Sequence, residues 1–265
     1  MNHAIDKSVG KFALALLAAT LLANGAGAQP EPVLSSAAAQ DAIRTAIASD
    51  TRPEEDKARD EERKPLDVLA FFRLEPDMRV IEILPFGGWF TKIIGPVVRE
   101  NGKLYTVQPD LGEYSDALEP TLQLPGMDRV EKLDWNGAIG GRSPWVGSGT
   151  WNVEPVDLVV TFRNYHNFGY DDRMKINQST FDALKPGGLY GIVDHTRRHN
   201  EPDSRENGRR VDPVLVIKEV QDSGFEFVDY GSFLRSAEDE LIYEVGNPEV
   251  TGRTDRFALL FRKPE

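Results

Sequence analysis

The chain has 265 residues, no cysteine and a formal net charge of −12 at pH 7. The missing cysteine excludes disulfides, and the acidity argues against nucleic-acid binding, because neutralising phosphates requires clustered Lys and Arg. The only basic cluster is Arg197-Arg198 with Arg209-Arg210, and acidic residues interrupt it. We interpret this cluster as a solvated loop, with steering of an anionic substrate as the alternative.

The first 28 residues have the pattern of a secretory signal peptide. Lys7 and Lys11 precede a short apolar run over residues 12–23, and Ala26-Gly27-Ala28 is a cleavage pattern. The run is about half of the ~20 residues that a membrane span needs. We therefore expect cleavage after Ala28 and a periplasmic or secreted protein without stable membrane insertion. The alternatives are a retained membrane anchor and a cytoplasmic protein that keeps these residues.

Residues 29–64 are predicted to form an N-terminal helical extension. An alanine-rich helix begins at Ser35-Ser36 and ends near Ser49. The following segment, residues 51–64, is dense in charge, and its alternating signs predict an exposed helix. Its basic residues include Arg52, Arg59 and Arg63. Pro65 then begins another helix, which has an apolar face.

The segment from Arg79 to Val98 is the most informative part of the chain. A buried strand over residues 80–84 is followed by a turn, Pro85-Phe86-Gly87-Gly88, and by a helix through Thr91. Such a turn lets a ligand approach the backbone closely and directs helix N–H groups towards it. Glu82 within the strand favours a ligand that carries hydroxyls or a positive charge.

Strands and helices alternate along the rest of the chain. Further strands are predicted over residues 102–110, 128–133, 157–161, 189–193, 226–234 and 257–262, with helices over 170–184 and 211–223. This order predicts an α/β fold, a Rossmann-like open, mostly parallel seven-stranded sheet with helices on both faces. Residues 65–265 would form this domain. A Gly- and Ser-rich loop is predicted over residues 136–150, and Trp135, Trp145 and Trp151 either pack it or line a ligand site.

Histidines follow two of the predicted strands. His166 comes after the fourth strand and His195 after the fifth, so both should face the cleft at the carboxyl edge of the sheet. With Tyr165 and Asp194 nearby, they could serve as general base and orienting group. The alternative is hydrogen-bonded loop histidines.

Metal binding is a weaker interpretation of the histidines near the fifth predicted strand. Asp194 and His195 with His199 have a spacing that would suit zinc on a helix. Arg197-Arg198 and the expected loop conformation argue against this use. We therefore predict no metal site.

These features, in this order, resemble the class I S-adenosylmethionine-dependent methyltransferases. They resemble most an exported bacterial branch whose motif runs Glu-x-x-Pro-Gly-Gly-Gly-Trp/Tyr. The resemblance covers roughly residues 52–264 and implies S-adenosylmethionine as cofactor, with a small molecule or an envelope component as methyl acceptor. Further matching motifs are Arg59-Asp60-x-x-Arg63-Lys64-Pro65, Asp157 to Asn167, Leu184-Lys185-Pro186-Gly187-Gly188 and Thr254 to Pro264.

The resemblance also implies roles for individual residues. The first turn would hold the methionine part, Gln108 with Asp110 the ribose, and Asp134 the adenine amine. His166, Tyr165 and His195 would lie at the transfer site. The helical region before the first strand would lie over the cofactor site as a lid, with a packed N-terminal cap as the alternative. The full set of implied cofactor residues is Glu82, Pro85, Gly87, Gly88, Gln108, Asp110, Asp134 and Asn164.

Two residues depart from the pattern. Phe86 stands where the family has its first turn glycine, and Gln108 replaces a carboxylate. The competing hypothesis is therefore a catalytically silent binding protein in which Phe86 fills the methionine pocket. Other open alternatives are an ion pair of Glu82 with Arg59, Arg63 or Lys64, and capping roles for Asp110 and Asp134.

Overall fold

The computed structural model describes Met1 and residues 33–108, 115–135, 138–140, 143–146 and 151–265. The predicted signal peptide beyond Met1 and the predicted ribose contact Asp110 lie outside the described residues. Residues 33–265 belong to one unit, so the helices before Pro65 are part of the same body as the sheet. In the described part of the chain, no helix is long and apolar enough to cross a membrane.

A seven-stranded sheet forms the centre of the molecule and confirms the predicted fold class. Its spatial order is β3-β2-β1-β6-β7-β9-β8, and β9 alone runs antiparallel to its neighbours. The strands are β1 Arg79–Ile83, β2 Lys103–Val107, β3 Glu131–Leu133, β6 Val156–Phe162, β7 Leu184–His195, β8 Glu226–Gly231 and β9 Arg256–Arg262. The chain order reverses between β1 and β6, the position where open α/β sheets bind ligands.

Side-chain caps mark the starts of two helices, α1 and α8. The Ser36 hydroxyl accepts from the backbone N–H of Ala39, and Asp212 caps the helix that starts at Pro213. Gly224, at φ 99°, follows the end of that helix. The helices are α1 Ala37–Ile47, α2 Glu54–Lys57, α3 Asp60–Arg63, α4 Pro65–Phe71, α5 Thr91–Val98, α6 Glu119–Leu122, α7 Tyr170–Ala183 and α8 Pro213–Asp222.

Two apolar cores lie on opposite faces of the sheet. In β1, Val80 joins the core that includes α1, α4 and α5, whereas Ile81 joins the core beneath α7 and α8. The strand is buried on both sides, as expected for a parallel sheet covered by helices. This arrangement leaves the carboxyl ends of β1, β6 and β7 as the edge where loops can form a site.

Three details differ from the sequence prediction. Residues 51–64 form two short helices rather than one exposed helix, and Arg52 and Arg63 are buried. The predicted loop over 136–150 contains a separate two-stranded sheet of β4 Ala138–Gly140 and β5 Ser143–Val146. Strand β7 begins at Leu184, earlier than the predicted strand over 189–193, because Lys185 to Gly188 are part of the strand.

Trp151 is buried in a core, and Trp135 packs against it at 6.4 Å between ring centroids.

Candidate active site

The turn after β1 has an unusual backbone. Leu84 and Phe86 have φ values of 56° and 47°, a region that favours glycine, and Gly88 has a φ of 72°. A side chain in this conformation costs about 1 kcal/mol or more, so surrounding contacts must hold the turn. The backbone N–H of Leu84 donates to Val107 O at 2.8 Å, and the Asn164 amide donates to Leu84 O at 3.0 Å. The turn thus keeps the glycine-like backbone that the resemblance implies, although two of its residues carry side chains.

Gly88 is required by packing as well as by conformation. A Cβ atom here would lie 2.8 Å from both Leu118 Cδ1 and Thr121 Cγ2. Gly87, in contrast, is exposed, and its Cβ would meet nothing nearer than Ala117 O at 4.0 Å. The Thr121 hydroxyl donates to Gly87 O at 2.8 Å. Of the two glycines, Gly87 is therefore the one whose surface is available to a ligand.

A cavity of about 280 Å³ lies against this turn, and we call it the turn cavity. The sheet and turn contribute Glu82, Leu84, Pro85, Phe86 and Gly87, and β6 contributes Phe162, Arg163 and Asn164 at its end. Residues 51–64 contribute Asp56, Arg59 and Arg63 on the opposite side, with Trp89 and Phe90 completing the wall. Four of the eight predicted cofactor residues, Glu82, Pro85, Gly87 and Asn164, thus line one cavity.

Glu82 is the buried carboxylate of the turn cavity. Its side chain accepts a hydrogen bond of 2.6 Å from the Thr91 hydroxyl, and its residue is 2% exposed. Burial raises the pKa of Glu82 to about 7, although the Thr91 hydrogen bond and the nearby Lys92 charge oppose the shift. Among the described residues Glu82 makes no ion pair, so the proposed pair with Arg59, Arg63 or Lys64 does not form. A carboxyl group whose pKa is about 7 can ionise at physiological pH and then bind a positively charged ligand group.

The cap residues cover the turn cavity through buried polar contacts. Lys92 Nζ donates to Asp56 Oδ2 at 2.6 Å, and Trp89 Nε1 donates to Asp56 O at 3.2 Å. Arg52 makes two hydrogen bonds to Asp60 and places its guanidinium 5.1 Å from the Trp89 ring centroid. These contacts hold residues 52–63 over the cavity as a packed cap.

Phe86 forms part of the wall and leaves the cavity open. Its ring is partly buried against the core on the α7 and α8 face of the sheet, while the residue also lines the turn cavity. Phe86 holds its ring in this position with the positive φ described above for the turn. The cavity beside it still has a volume of about 280 Å³.

The remaining predicted cofactor residues lie outside the lining of the turn cavity. Gln108 follows β2, where its amide donates to Ser115 O at 3.0 Å. Its Oε1 is buried and has no hydrogen-bond partner in the described part of the chain. Asp134 is exposed after β3. Gln108 therefore offers an unsatisfied acceptor at the position implied for a ribose hydroxyl.

A second cavity of about 250 Å³ adjoins the first and shares Arg59 and Arg163 with it. We call it the histidine cavity. His166 and His195 line it, together with Glu62, Arg209 and Arg256. The segment between β8 and β9 closes it with Val245, Gly246, Thr251, Gly252 and Thr254.

Asp194 orients His166 in the histidine cavity. Its carboxylate lies 2.7 Å from His166 Nδ1 and also accepts hydrogen bonds from the backbone N–H groups of His166 and His195. This contact favours the tautomer with the proton on Nδ1, which leaves Nε2 as an acceptor. His166 Nε2 makes no hydrogen bond with a residue that the structure describes. The imidazole is therefore arranged as a general base.

His195 lies beside His166, with 6.0 Å between the ring centroids. It is 4% exposed, and its Nδ1 lies 2.9 Å from the Thr254 hydroxyl. Burial, with the positive charge of Arg163 next in importance, holds the pKa of His195 well below its usual value. His195 is thus neutral at physiological pH and can offer one donor or acceptor to a ligand.

The structure does not bring every predicted residue to the cavities. Tyr165 is fully buried in a core, where its hydroxyl accepts from Asn177 at 2.9 Å and lies 3.3 Å from Glu219. It lines neither cavity, so a role at the transfer site has no geometric support. His199 is exposed and pairs with Asp212. Among the described residues, no group of His, Asp or Glu is arranged to hold a metal ion.

The sequence did not indicate that arginines would line the two cavities. Arg59 and Arg63 have the pattern of an exposed charged helix, and Arg256 directly precedes the predicted strand over residues 257–262. Arg163 follows the apolar run of β6, and its φ of 60° marks a special backbone position that no sequence pattern reveals. Arg209 did stand out, since it belongs to the basic cluster for which steering of an anion was the alternative reading.

Comparison with known proteins supports the fold. No protein-family model matches the chain, and no curated protein matches it. A SAM-dependent methyltransferase from Aquifex aeolicus aligns over 84% of this chain and 97% of its own, with 17% identity and a TM-score of 0.51. The CcbJ methyltransferase from Streptomyces caelestis aligns over 78% and 90%, with 12% identity and a TM-score of 0.52.

A third similar structure has a different function. The [4+2]-cyclase SpnF aligns over 85% of this chain and 93% of its own, with 14% identity and a TM-score of 0.50. At such identities these similarities show a shared methyltransferase-type fold. They do not transfer an activity, because one fold hosts several chemistries.

Proposed function

We propose that this chain is an S-adenosylmethionine-dependent methyltransferase that acts on a small molecule or an envelope component. The observation that carries the proposal is the turn cavity. It lies at the switch point of a methyltransferase-type sheet, with a buried Glu82 and a glycine-like turn in its wall.

The residues present fit the cofactor at each of its ends. Glu82 would accept from the ammonium group of the methionine part, and Arg63 would pair with its carboxylate. The unsatisfied Oε1 of Gln108 would accept from a ribose hydroxyl. Gly87 would allow close approach at the turn. Asp134, exposed after β3, remains the proposed partner of the adenine amine.

The proposed division of work places the acceptor in the histidine cavity. When bound, the cofactor would supply a methyl group activated by its sulfonium, with the neutral thioether of S-adenosylhomocysteine as the leaving group. His166 Nε2 would remove the proton of an oxygen or nitrogen acceptor, and Asp194 would hold the imidazole in the required tautomer. His195 would orient the acceptor through a hydrogen bond. We expect His166→Ala to reduce transfer about 10²- to 10⁴-fold without changing cofactor affinity.

Calorimetric titration with S-adenosylmethionine and S-adenosylhomocysteine tests the proposal. We expect micromolar binding by the native chain. The competing hypothesis of a silent binding protein predicts no binding by the native chain and binding by Phe86→Gly. Phe86→Gly separates the two because it removes only the ring that would fill the cavity.

We further propose, from the signal-like pattern, that residues 1–28 direct export and are removed. Expression in a secreting host followed by intact mass measurement tests this proposal. A mass lower by residues 1–28 in the periplasmic fraction is expected, whereas an intact N-terminus on cytoplasmic protein would contradict export. S-adenosylmethionine is a cytoplasmic metabolite, so an exported enzyme would need a supply of cofactor.

A further inference from the structure

Four guanidinium groups, those of Arg59, Arg63, Arg163 and Arg256, lie around the Glu62 carboxylate where the two cavities meet. Two further carboxylates act on this cluster, Asp194 on Arg163 and Asp255 on Arg256, so the cations outnumber the anions. Arg59 donates twice to Glu62, and Arg63 lies 3.6 Å from the same carboxylate. Among the residues that the structure describes, Arg256 donates only to two backbone carbonyls, Glu62 O and Thr254 O. The local charge is therefore positive, although the whole chain carries −12.

Arg163 is the least compensated member of this group. Its side chain makes no hydrogen bond or ion pair with a residue that the structure describes. It lines both cavities from the end of β6, and its φ of 60° places the backbone in a region that is unfavourable for a side chain. The chain thus tolerates a strained backbone at a cation that makes no ion pair with a described residue and that Glu62 and Asp194 compensate only at longer range. Such backbone outliers cluster at functional sites.

The guanidinium groups of this cluster repel one another. Burial, followed by the charges of Arg59 and Arg256, lowers the pKa of Arg163 to about 10. Burial and the Arg163 charge lower the pKa of Arg63 to about 8. Partly buried charges that repel each other destabilise the folded chain, and an anion placed among them would remove that cost.

We propose that the histidine cavity binds an oxyanion of the acceptor molecule, a carboxylate or a phosphate, with Arg163 as the principal contact and Arg256 as the second. A guanidinium presents paired donors that match both groups. The anion would lie near His166, so it would fix the acceptor beside the proposed base. Arg209 also lines the cavity and so adds a further cation to its wall, where it pairs with Glu244. That the anion is part of a methyl acceptor rests on the proposed function, whereas the binding of an anion in this cavity does not.

Thermal unfolding with simple anions tests the proposal without cofactor or activity. The unfolding midpoint of the purified chain is measured in chloride, inorganic phosphate and succinate at equal ionic strength. At an anion concentration near ten times Kd, the native midpoint should rise by about 3 °C. The larger response of the two probes identifies phosphate or carboxylate as the preferred group.

Two variants make the test specific. Arg163→Gln should lose the anion-dependent rise, and its midpoint in chloride should equal or exceed the native one because repulsion is relieved. Arg44→Gln is the control, since Arg44 is an exposed arginine on α1 that pairs with Asp41. It should keep the full rise. If Arg163→Gln does not fold, Arg163→Lys replaces it, and about tenfold weaker anion binding is expected because the paired donors are lost.

Three results would overturn the proposal. The first is an equal anion-dependent rise in native and Arg163→Gln chains, and the second is no rise in the native chain. The third concerns the cofactor: if saturating S-adenosylhomocysteine abolishes the phosphate effect, Arg163 binds the cofactor carboxylate instead of an acceptor. Additive effects support separate sites. A native chain that binds phosphate but no cofactor would refute the proposed function and leave the anion site standing.

Discussion

The two walls of the turn cavity are built in different ways. The turn wall, Leu84 to Gly88, is shaped by backbone conformation and by a Cβ-free position packed against α6. The cap wall, residues 52–63, is shaped by buried charge, with Arg52 bound to Asp60 and Arg63 over the Trp89 ring. One wall therefore depends on steric fit, and the other depends on electrostatic pairing.

The two walls should therefore be destabilised by different kinds of substitution. Removing one partner of a buried pair leaves an unpaired charge, whereas adding a methyl group to a tight turn forces neighbours apart. The buried Glu82 behind the turn adds a third sensitivity, to pH. Substitutions in the cap, at Glu82 and in the turn should therefore differ in their cost, and we expect the greatest loss of stability from the cap.

Arg52→Met should lower the free energy of unfolding by about 3–5 kcal/mol, because it leaves the Asp60 carboxylate without its partner beneath the cap. Denaturant unfolding measures this loss. Arg44→Met is the matched control, since the Arg44–Asp41 pair is exposed and should contribute less than about 0.5 kcal/mol. Equal losses in the two variants would show that burial does not distinguish the cap arginines.

Glu82→Gln should stabilise the chain at alkaline pH. The pKa of Glu82 is raised to about 7 from an ordinary value of 4.5. The carboxyl group therefore stays protonated in the folded chain while the unfolded chain ionises, and stability falls as pH rises from 4.5 through 7. Relative to Glu82→Gln, the native chain should lose up to about 3 kcal/mol by pH 8.5 and little at pH 4.5. Parallel unfolding curves at all pH values would contradict a buried, proton-binding Glu82.

Gly88→Ala should destabilise the chain by about 1–3 kcal/mol, because the new Cβ meets Leu118 and Thr121 and φ is positive. Gly87→Ala is the neighbouring control and should change stability by less than about 0.5 kcal/mol. Denaturant midpoints of the two variants measure the difference. Similar losses would mean that the turn is not held by packing at Gly88.

Much of the fold follows from the sequence because apolar strands alternate with helical segments. The strand-turn-helix from Arg79 to Val98 was predictable from its apolar run, its glycines and Thr91. The burial of Arg52 and Arg63 was not, because local charge alternation describes an exposed helix equally well. Burial of those arginines depends on tertiary contacts: Trp89, in the turn before α5, lies under both guanidinium groups, and Asp60 pairs with Arg52.

The candidate site was predictable to the extent that it depends on strand ends. His166 and His195 meet because parallel strands end at one edge of the sheet, and Glu82 lies beneath its turn for the same reason. Tyr165 shows the limit of that reasoning. It adjoins His166 in sequence, yet the 3-10 turn Tyr165–Asn167 directs its ring into the core beside Asn177. The arginines gather from distant segments, and no spacing in the sequence records that.

Calorimetric titration with S-adenosylmethionine from pH 6 to pH 8, on the native chain and on Glu82→Gln, tests whether the turn cavity is the cofactor site. A positively charged ligand beside Glu82 favours its ionised form, so native affinity should rise with pH through about 7, with proton release on binding. Glu82→Gln should bind about 10- to 100-fold more weakly and without that pH dependence. No binding by the folded native chain, or binding that is equal in both proteins at every pH, would contradict a cofactor site at the turn cavity.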